Sequence, residues 1–318
     1  MKTTLQSLQE SISNAVDMID QSQLVSNDLL HQQSTKYSNN SLDFTNATSL
    51  LDKCEQVISG YNKTKPVIRI IHHPACSGGT LISKCISAMP NTFLLSEIHP
   101  FSDMHILGGK SHYAPSDYTT LARFANIPDL RTLAGKLFSQ NIQSIHEHLK
   151  LRGANLVLRE HSHFDFFKGD ILASPIVSNL LKEEFELLQV VTVRNPIDCY
   201  LSLLNNNWLT FQPQTFDEYC RRYLEFMRMY SHVEILKYED FLENPINFMQ
   251  RMCRLLELDF SDLFVDLSEI FKVTGDSGRS SNVITKRDRR ELPPHFIDEV
   301  KSSSHFKSIQ AEIDYPGL

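Results

Sequence analysis

The sequence lacks the patterns typical of membrane, secreted and zinc-binding proteins. No apolar run approaches the length of a membrane span, and Met1 to Glu10 contain no apolar core of a signal peptide. The six cysteines form no Cys-x-x-Cys pair, which favours reduced or buried thiols over disulfides and zinc ligation. We therefore expect a cytoplasmic protein that has no membrane span and needs no metal.

An excess of positive charge is also absent. The 318 residues include 38 acidic and 31 basic side chains, giving a formal net charge of −7. A protein of this charge is not built to coat a nucleic acid, so we expect no nucleic-acid partner. The hydrophobic fraction of 41% is sufficient for a substantial core. Any polyanionic ligand must then be bound at a local basic site.

Residues 1–62 differ from the rest of the chain because they are rich in Ser, Asn and Gln. Apolar residues recur at helical spacing from Leu5 to Ile19, which predicts an amphipathic helix, and a second helix is predicted before Gly60. We interpret this region as an N-terminal helical appendage. Its apolar stripe would pack on the body of the protein or on a second subunit, which would make a homodimer.

Residues 63–318 alternate apolar runs with helical segments, and the run Leu187 to Val193 is the clearest buried strand. This alternation predicts an α/β domain with a central parallel sheet covered by helices on both faces. Ligands bind at the carboxyl ends of the strands in such a fold. Residues 101–150 are predicted to be a mostly helical insertion that forms a substrate cover.

The stretch Val67 to Thr80 predicts an anion site at one of these strand ends. An apolar strand leads into a turn that contains Gly78 and Gly79, and a helix begins near Thr80. Small residues let backbone N–H groups approach an oxyanion, and the helix dipole favours negative charge there. An ordinary tight turn has the same pattern. The lysine of a Walker A motif is missing after Gly79, which disfavours a nucleoside triphosphatase or an ordinary kinase.

A second anion site is predicted between Arg194 and Ser202. Arg194 follows the buried strand, Asn195 can cap the next helix, and Ser202 lies on nearly the same helical stripe as Asn195. A guanidinium grips a phosphate with two hydrogen bonds, and a serine hydroxyl adds a donor. The alternative is an ion pair at a strand end beside an incidental serine.

These motifs, in this order, resemble those of the sulfotransferases. Residues 77–81 (Ser-Gly-Gly-Thr-Leu) resemble the family's 5′-phosphosulfate loop, and Arg194 to Ser202 resembles its 3′-phosphate motif. Tyr238 with the two acidic residues after it is similar to the family's Tyr-Glu-Asp segment. The resemblance extends over about residues 66–260.

The resemblance implies a P-loop-like, three-layer α/β/α fold and a nucleotide-binding transferase. Such an enzyme moves a sulfuryl group from 3′-phosphoadenosine 5′-phosphosulfate (PAPS) to a hydroxyl or amine, leaving adenosine 3′,5′-bisphosphate (PAP). The acceptor would be a small molecule, a glycan or a peptide. Tyr238 would lie near the adenine. The implied cofactor-binding residues are Cys76, Ser77, Gly78, Gly79, Thr80, Leu81, Arg194, Ser202 and Tyr238.

Cys76 departs from the family, because many members carry Lys or Arg there. Another cation would have to meet the sulfuryl group, and we expect Arg159, with Lys84 as the alternative. For the base that removes the acceptor's proton, Glu97 resembles the glutamate of the heparan and tyrosyl branches, whereas His161 resembles the histidine of the cytosolic small-molecule branch. We favour Glu97, with His161 and Arg159 stabilising the transfer.

The densest basic cluster lies late in the chain, where a Gly- and Ser-rich loop carries Arg279 and is followed by Lys286 and Arg287. Sulfotransferases close over the 3′-phosphate with a late basic loop, so Arg279 or the pair Lys286 and Arg287 is expected to bind it. A solvated charged face is the alternative interpretation of such a cluster. Two other functions stay open: a nucleotide-dependent phosphotransferase with a degenerate loop, and a non-catalytic nucleotide-binding protein.

Overall fold

The computed structural model describes residues 65–103, 116–172, 174–274, 284 and 292–316. The predicted appendage at residues 1–62 lies outside these ranges, as do Arg279, Lys286 and Arg287. Within the described ranges, no helix is both long enough and apolar enough to cross a membrane.

A five-stranded parallel sheet lies at the centre, in the order β2-β3-β1-β4-β5. The strands are β1 (Val67–His72), β2 (Thr92–Ile98), β3 (Asn155–Glu160), β4 (Glu186–Val193) and β5 (Glu234–Lys237). The chain leaves β1 towards β2 on one side and leaves β4 towards β5 on the other. The strand order therefore reverses between β1 and β4, and a crevice at such a reversal is where ligands bind in open α/β sheets.

Helices connect the strands and continue beyond the last one. They are α1 (Gly79–Ser87), α2 (Tyr118–Phe124), α3 (Leu130–Lys150), α4 (His163–Phe167), α5 (Ile176–Leu181), α6 (Pro196–Asn205), α7 (Phe216–Met229), α8 (Tyr238–Glu243), α9 (Pro245–Leu255), α10 (Phe264–Leu267), α11 (Pro294–Ser302) and α12 (Ser304–Ile313), with a 3-10 turn at Ser268–Ile270. Asn195 caps α6, as the sequence predicts, by accepting a hydrogen bond from the amide of Ile197 at 3.0 Å.

The strands bury apolar side chains on both faces of the sheet because successive residues point to opposite sides. On one face, Ile71 and Val157 pack against α1 and α9. On the opposite face, Ile70 and Leu158 pack against α3 and α5. The expected three-layer α/β/α fold is therefore confirmed. Helix α3, from the predicted insertion, forms part of one outer layer and connects β2 to β3.

A buried polar network holds the carboxyl ends of β1 and β3 together. His72 at the end of β1 contacts the carboxylate of Glu160 at the end of β3 through Nδ1, and its Nε2 lies 2.9 Å from Oε1 of Gln189. Tyr230 donates its hydroxyl to Glu160 at 3.0 Å and stacks on His72. Burial by itself raises the pKa of Glu160, but His72 and the Tyr230 hydroxyl lower it overall. The network fixes the backbone that carries Arg159 and His161.

The change Tyr230→Phe should lower the free energy of unfolding by about 1.5–3 kcal/mol, because a buried carboxylate loses one of its donors. Tyr118→Phe is the matched control, since that ring is 67% exposed, and it should change stability by less than about 0.5 kcal/mol. Urea denaturation followed by circular dichroism measures both. Equal stabilities of the two variants would contradict the role given to the network.

Candidate active site

The polar groups predicted to lie at strand ends are all found at the carboxyl edge of the sheet. The glycine turn follows β1. Glu97 and Arg159 each lie one residue before the end of their strand, β2 and β3 respectively. Arg194 directly follows β4, and Tyr238 directly follows β5. Segments far apart in sequence thus contribute to one site.

The turn after β1 presents backbone donors to this edge. Gly78 is the residue before α1, its φ is +88°, and no side chain caps the helix. The first N–H groups of a helix have no acceptor within it, so together with the helix dipole they favour an anion. The hydroxyl of Ser77 is fully buried and has no hydrogen-bond partner among the described residues. An oxyanion bound at the turn would satisfy this hydroxyl.

Tyr238 packs directly on the turn, which requires glycine there. A Cβ atom added at Gly78 would lie 2.2 Å from Cε2 of Tyr238. The guanidinium carbon of Arg194 lies 5.3 Å from the centre of the same ring, and Arg194 donates to the carbonyl of Cys76 at 3.3 Å. The two anion sites predicted from the sequence therefore meet in the crevice between β1 and β4.

Cys76 connects the turn to helix α6. Its backbone has a φ of +61°, and its thiol is hydrogen-bonded to Ser202. Burial raises the pKa of Cys76 above its usual value, so the side chain stays a neutral thiol. The turn therefore brings no charge of its own at the position where many sulfotransferases have a cation.

Arg159 lies directly beside the turn and is 3% exposed. A Cβ atom at Gly79 would lie 3.1 Å from its Nε. The guanidinium donates to Nε2 of His73 at 2.7 Å and to the hydroxyl of Ser96 at 2.9 Å. Its Nη2 atom lies 2.5 Å from Oε1 of Glu97. A buried positive charge thus lies next to the turn, and Arg159 is the residue that the sequence predicts as the substitute cation.

His73 was not among the predicted site residues. Its Nε2 accepts a hydrogen bond from Arg159, so the ring hydrogen is on Nδ1, which donates to the carbonyl of Pro74 at 3.0 Å. Burial, followed by the charge of Arg159, lowers the pKa of His73 to about 3. The neutral ring holds Arg159 against the turn. Its position as the first residue after β1 was the available signal in the sequence.

Glu97 and His161, the two candidate bases, form one hydrogen-bonded pair. Oε2 of Glu97 contacts Nδ1 of His161, and Oε1 is the atom that faces Arg159. Burial by itself raises the pKa of Glu97, but the bond with His161 and the charge of Arg159 lower it to about 2. The backbone of Glu97 has a φ of +58° within an irregularity of the β2–β3 pairing. The carboxylate is therefore ionised, oriented and weakly basic.

The remaining predicted residues lie near this edge or in the core. Leu81 packs against the core on the α1 face, and Lys84 lies in the last turn of α1. Thr274, at the start of the predicted late loop, accepts a hydrogen bond from Ser96 at 2.9 Å and one from Arg159 at 3.5 Å. Among the described residues, no group of His, Cys, Asp and Glu side chains is arranged to hold a metal ion.

A cavity of about 360 Å³ adjoins Glu97. It lies between the end of β2, helix α2 and helix α3. Its wall includes Glu97, His99, Arg123 and Asn141. A molecule in this cavity would therefore contact the candidate base pair at Glu97.

The chain is similar to solved structures of sulfotransferases. No protein-family model and no curated protein sequence matches the chain. The sulfotransferase domain from the curacin biosynthetic pathway is 16% identical with a TM-score of 0.46, covering 80% of this chain and 100% of that domain. The sulfotransferase domain from the Synechococcus PCC 7002 olefin synthase is 17% identical with a TM-score of 0.47, covering 80% and 97%.

Mouse sulfotransferase SULT7A1, whose structure was solved in complex with PAP, is 12% identical with a TM-score of 0.38, covering 81% of this chain and 93% of that one. These structures carry the name of the family that the sequence motifs resemble.

The change Gly78→Ala should destabilise the protein more than Gly169→Ala does. Both glycines have positive φ values, +88° and +63°, but nothing lies within 4 Å of a Cβ atom at Gly169. The control should therefore cost about 1–2 kcal/mol for the left-handed backbone alone. Gly78→Ala should cost about 1–3 kcal/mol more, because the ring of Tyr238 must move. Equal losses in urea denaturation would show that the ring does not pack on the turn.

Proposed function

We propose that this chain is a PAPS-dependent sulfotransferase. The observation that supports this most strongly is the meeting, at one edge of the sheet, of an uncapped glycine turn, Arg194, and the group formed by Arg159, Glu97 and His161. A phosphate-binding turn without the Walker A lysine, together with a base and a buried cation, suits transfer of a group to an acceptor hydroxyl or amine.

The crevice between β1 and β4 would hold the nucleotide. The backbone donors of the turn and the hydroxyl of Ser77 would bind the 5′-phosphosulfate, since that hydroxyl is buried without a partner among the described residues. Arg194 and Ser202 would bind the 3′-phosphate, with Tyr238 beside the adenine. Arg279, or Lys286 with Arg287, would add positive charge over that phosphate. PAPS would supply the sulfuryl group.

His161 would act as the base, and Glu97 would orient it. The carboxylate of Glu97 has a pKa of about 2, so it is a poor proton acceptor near neutral pH. Its contact with Nδ1 of His161 assigns the ring hydrogen to that nitrogen and makes Nε2 the proton-accepting atom. The acceptor oxygen would form the new S–O bond as its proton passes to Nε2 and the bond to the 5′-phosphate oxygen breaks. Glu97 would then stabilise the imidazolium.

Arg159 would take the electrostatic role of the cation that Cys76 does not provide. Its guanidinium adjoins Gly79, next to the donors that face the anion. A fixed positive charge at low exposure stabilises charge that develops on sulfuryl and leaving oxygens. The same guanidinium keeps Glu97 ionised, so one side chain serves both the anion and the base.

PAP should bind without any metal, and Arg194→Ala should weaken that binding about tenfold or more, because a charged donor to the phosphate is lost. Arg228→Ala is the control, because this exposed arginine on α7 pairs with Glu225, and the change should leave the affinity unchanged. Titration calorimetry in the presence of a chelator measures both. Absence of PAP binding to the intact protein would overturn the proposal, and magnesium-dependent ATP binding would favour a phosphotransferase.

The change His161→Ala should reduce sulfuryl transfer by about 10²–10⁴-fold while PAP affinity stays the same, because the base is removed and the nucleotide site is not. Glu97→Gln should reduce transfer less, since the histidine keeps a hydrogen-bond partner. His232→Ala, at an exposed histidine, is the control. Radiolabelled PAPS incubated with small-molecule extracts reports the transfer. If His161→Ala keeps its activity and Glu97→Gln loses it, the base is Glu97, which is the residue favoured from the sequence.

A further inference from the structure

The cavity beside Glu97 has the size of a small-molecule site. Its volume of about 360 Å³ lies at the lower end of the range of ligand pockets, and it adjoins the proposed base pair. Helices α2 and α3 contribute to its wall, beside the end of β2. A compact acceptor would fit in such a cavity.

One part of the cavity wall is apolar. It is formed by Leu95, Ile98, Phe138, Ile142 and Ile145. Apolar side chains stabilise a hydrocarbon body through burial of its surface, whereas a sugar would leave hydroxyl groups without partners there. This part of the wall therefore favours an aliphatic or aromatic portion of a ligand.

Arg123 brings a positive charge into the same wall. A guanidinium that lines a cavity can make charge-assisted hydrogen bonds to a carboxylate, so an anionic group of a ligand would be favoured beside it.

The carboxylates near Arg123 are already engaged. Asp117 caps α2 by accepting from the amide of Thr120 at 3.1 Å and from its hydroxyl. Asp103 pairs with Lys168, and that bond is the main reason that the pKa of Asp103 is lowered, with the charge of Arg123 a minor cause. An anionic group of a ligand in the cavity could therefore pair with the guanidinium of Arg123.

We propose that the acceptor is a small hydroxyl compound with an apolar body and an anionic group, most simply a carboxylate, which Arg123 binds. The acceptor role rests on the proposed function, whereas the ligand class follows from the wall of the cavity. The hydroxyl would lie at the Glu97 side of the cavity, and the anionic group would lie against Arg123.

The test uses ω-hydroxycarboxylates of graded length, namely 6-hydroxyhexanoate, 8-hydroxyoctanoate and 10-hydroxydecanoate, each compared with its uncharged amide. Binding to the nucleotide-free protein is measured by titration calorimetry. The carboxylate that fits best should bind about tenfold more tightly than its amide, because it gains a charge-assisted bond. Arg123→Met should abolish this preference, and Arg123→Lys should retain part of it. Arg152→Ala, at an exposed arginine that caps the far end of α3, should keep it in full.

The proposal is wrong if no carboxylate binds more tightly than its amide, or if the preference survives in Arg123→Met. Because binding is measured without nucleotide, this outcome does not depend on PAP. If the protein binds PAP but does not prefer carboxylates to amides, the proposed function stands and the proposed acceptor class is wrong. If the protein prefers carboxylates but does not bind PAP, the cavity binds anions as proposed and the sulfotransferase proposal is wrong.

Discussion

The position of Arg159 is the constraint on which the candidate site depends. This buried guanidinium lies against the glycine turn, pairs with Glu97, and donates a hydrogen bond to the neutral ring of His73. Burying a charge is costly unless its hydrogen-bonding groups are satisfied, so the surrounding residues are arranged around it. Burial by itself raises the pKa of Glu97, but the hydrogen bond with His161 and the charge of Arg159 lower it, and the same charge adds to burial in lowering the pKa of His73.

Two residues of the site adopt left-handed backbone conformations although neither is glycine. Cys76 has a φ of +61° and Glu97 a φ of +58°. Each such residue costs about 1–3 kcal/mol unless its surroundings hold it in place, and strain of this kind is common at functional sites. Arg194 and Ser202 hold Cys76, and Arg159 and His161 hold Glu97. The hydrogen bonds that orient these residues therefore also offset their strain.

The parts of the site that depend on residues close together in the chain could be predicted from the sequence. The buried strand before Arg194, the Asn195 cap and the glycine turn follow from short stretches of sequence, and the structure has each of them. Contacts between strands could not be read in this way. The pairing of Glu97 with His161 needs the β2–β3 register, so the sequence presented them as rival bases. The role of His73 needs the direction of the Arg159 side chain.

Arg159, the cation beside the turn, lies on β3, and Arg194 follows β4. The turn itself, residues 76–80, has donors without charge. The proposed anion site is complete only when these strands have paired in register, so it depends on the assembled sheet. A ligand that binds only such an assembled state stabilises the whole fold by mass action, in proportion to the logarithm of its concentration over its dissociation constant. Binding of an anion in the crevice would therefore raise the free energy of unfolding of the sheet.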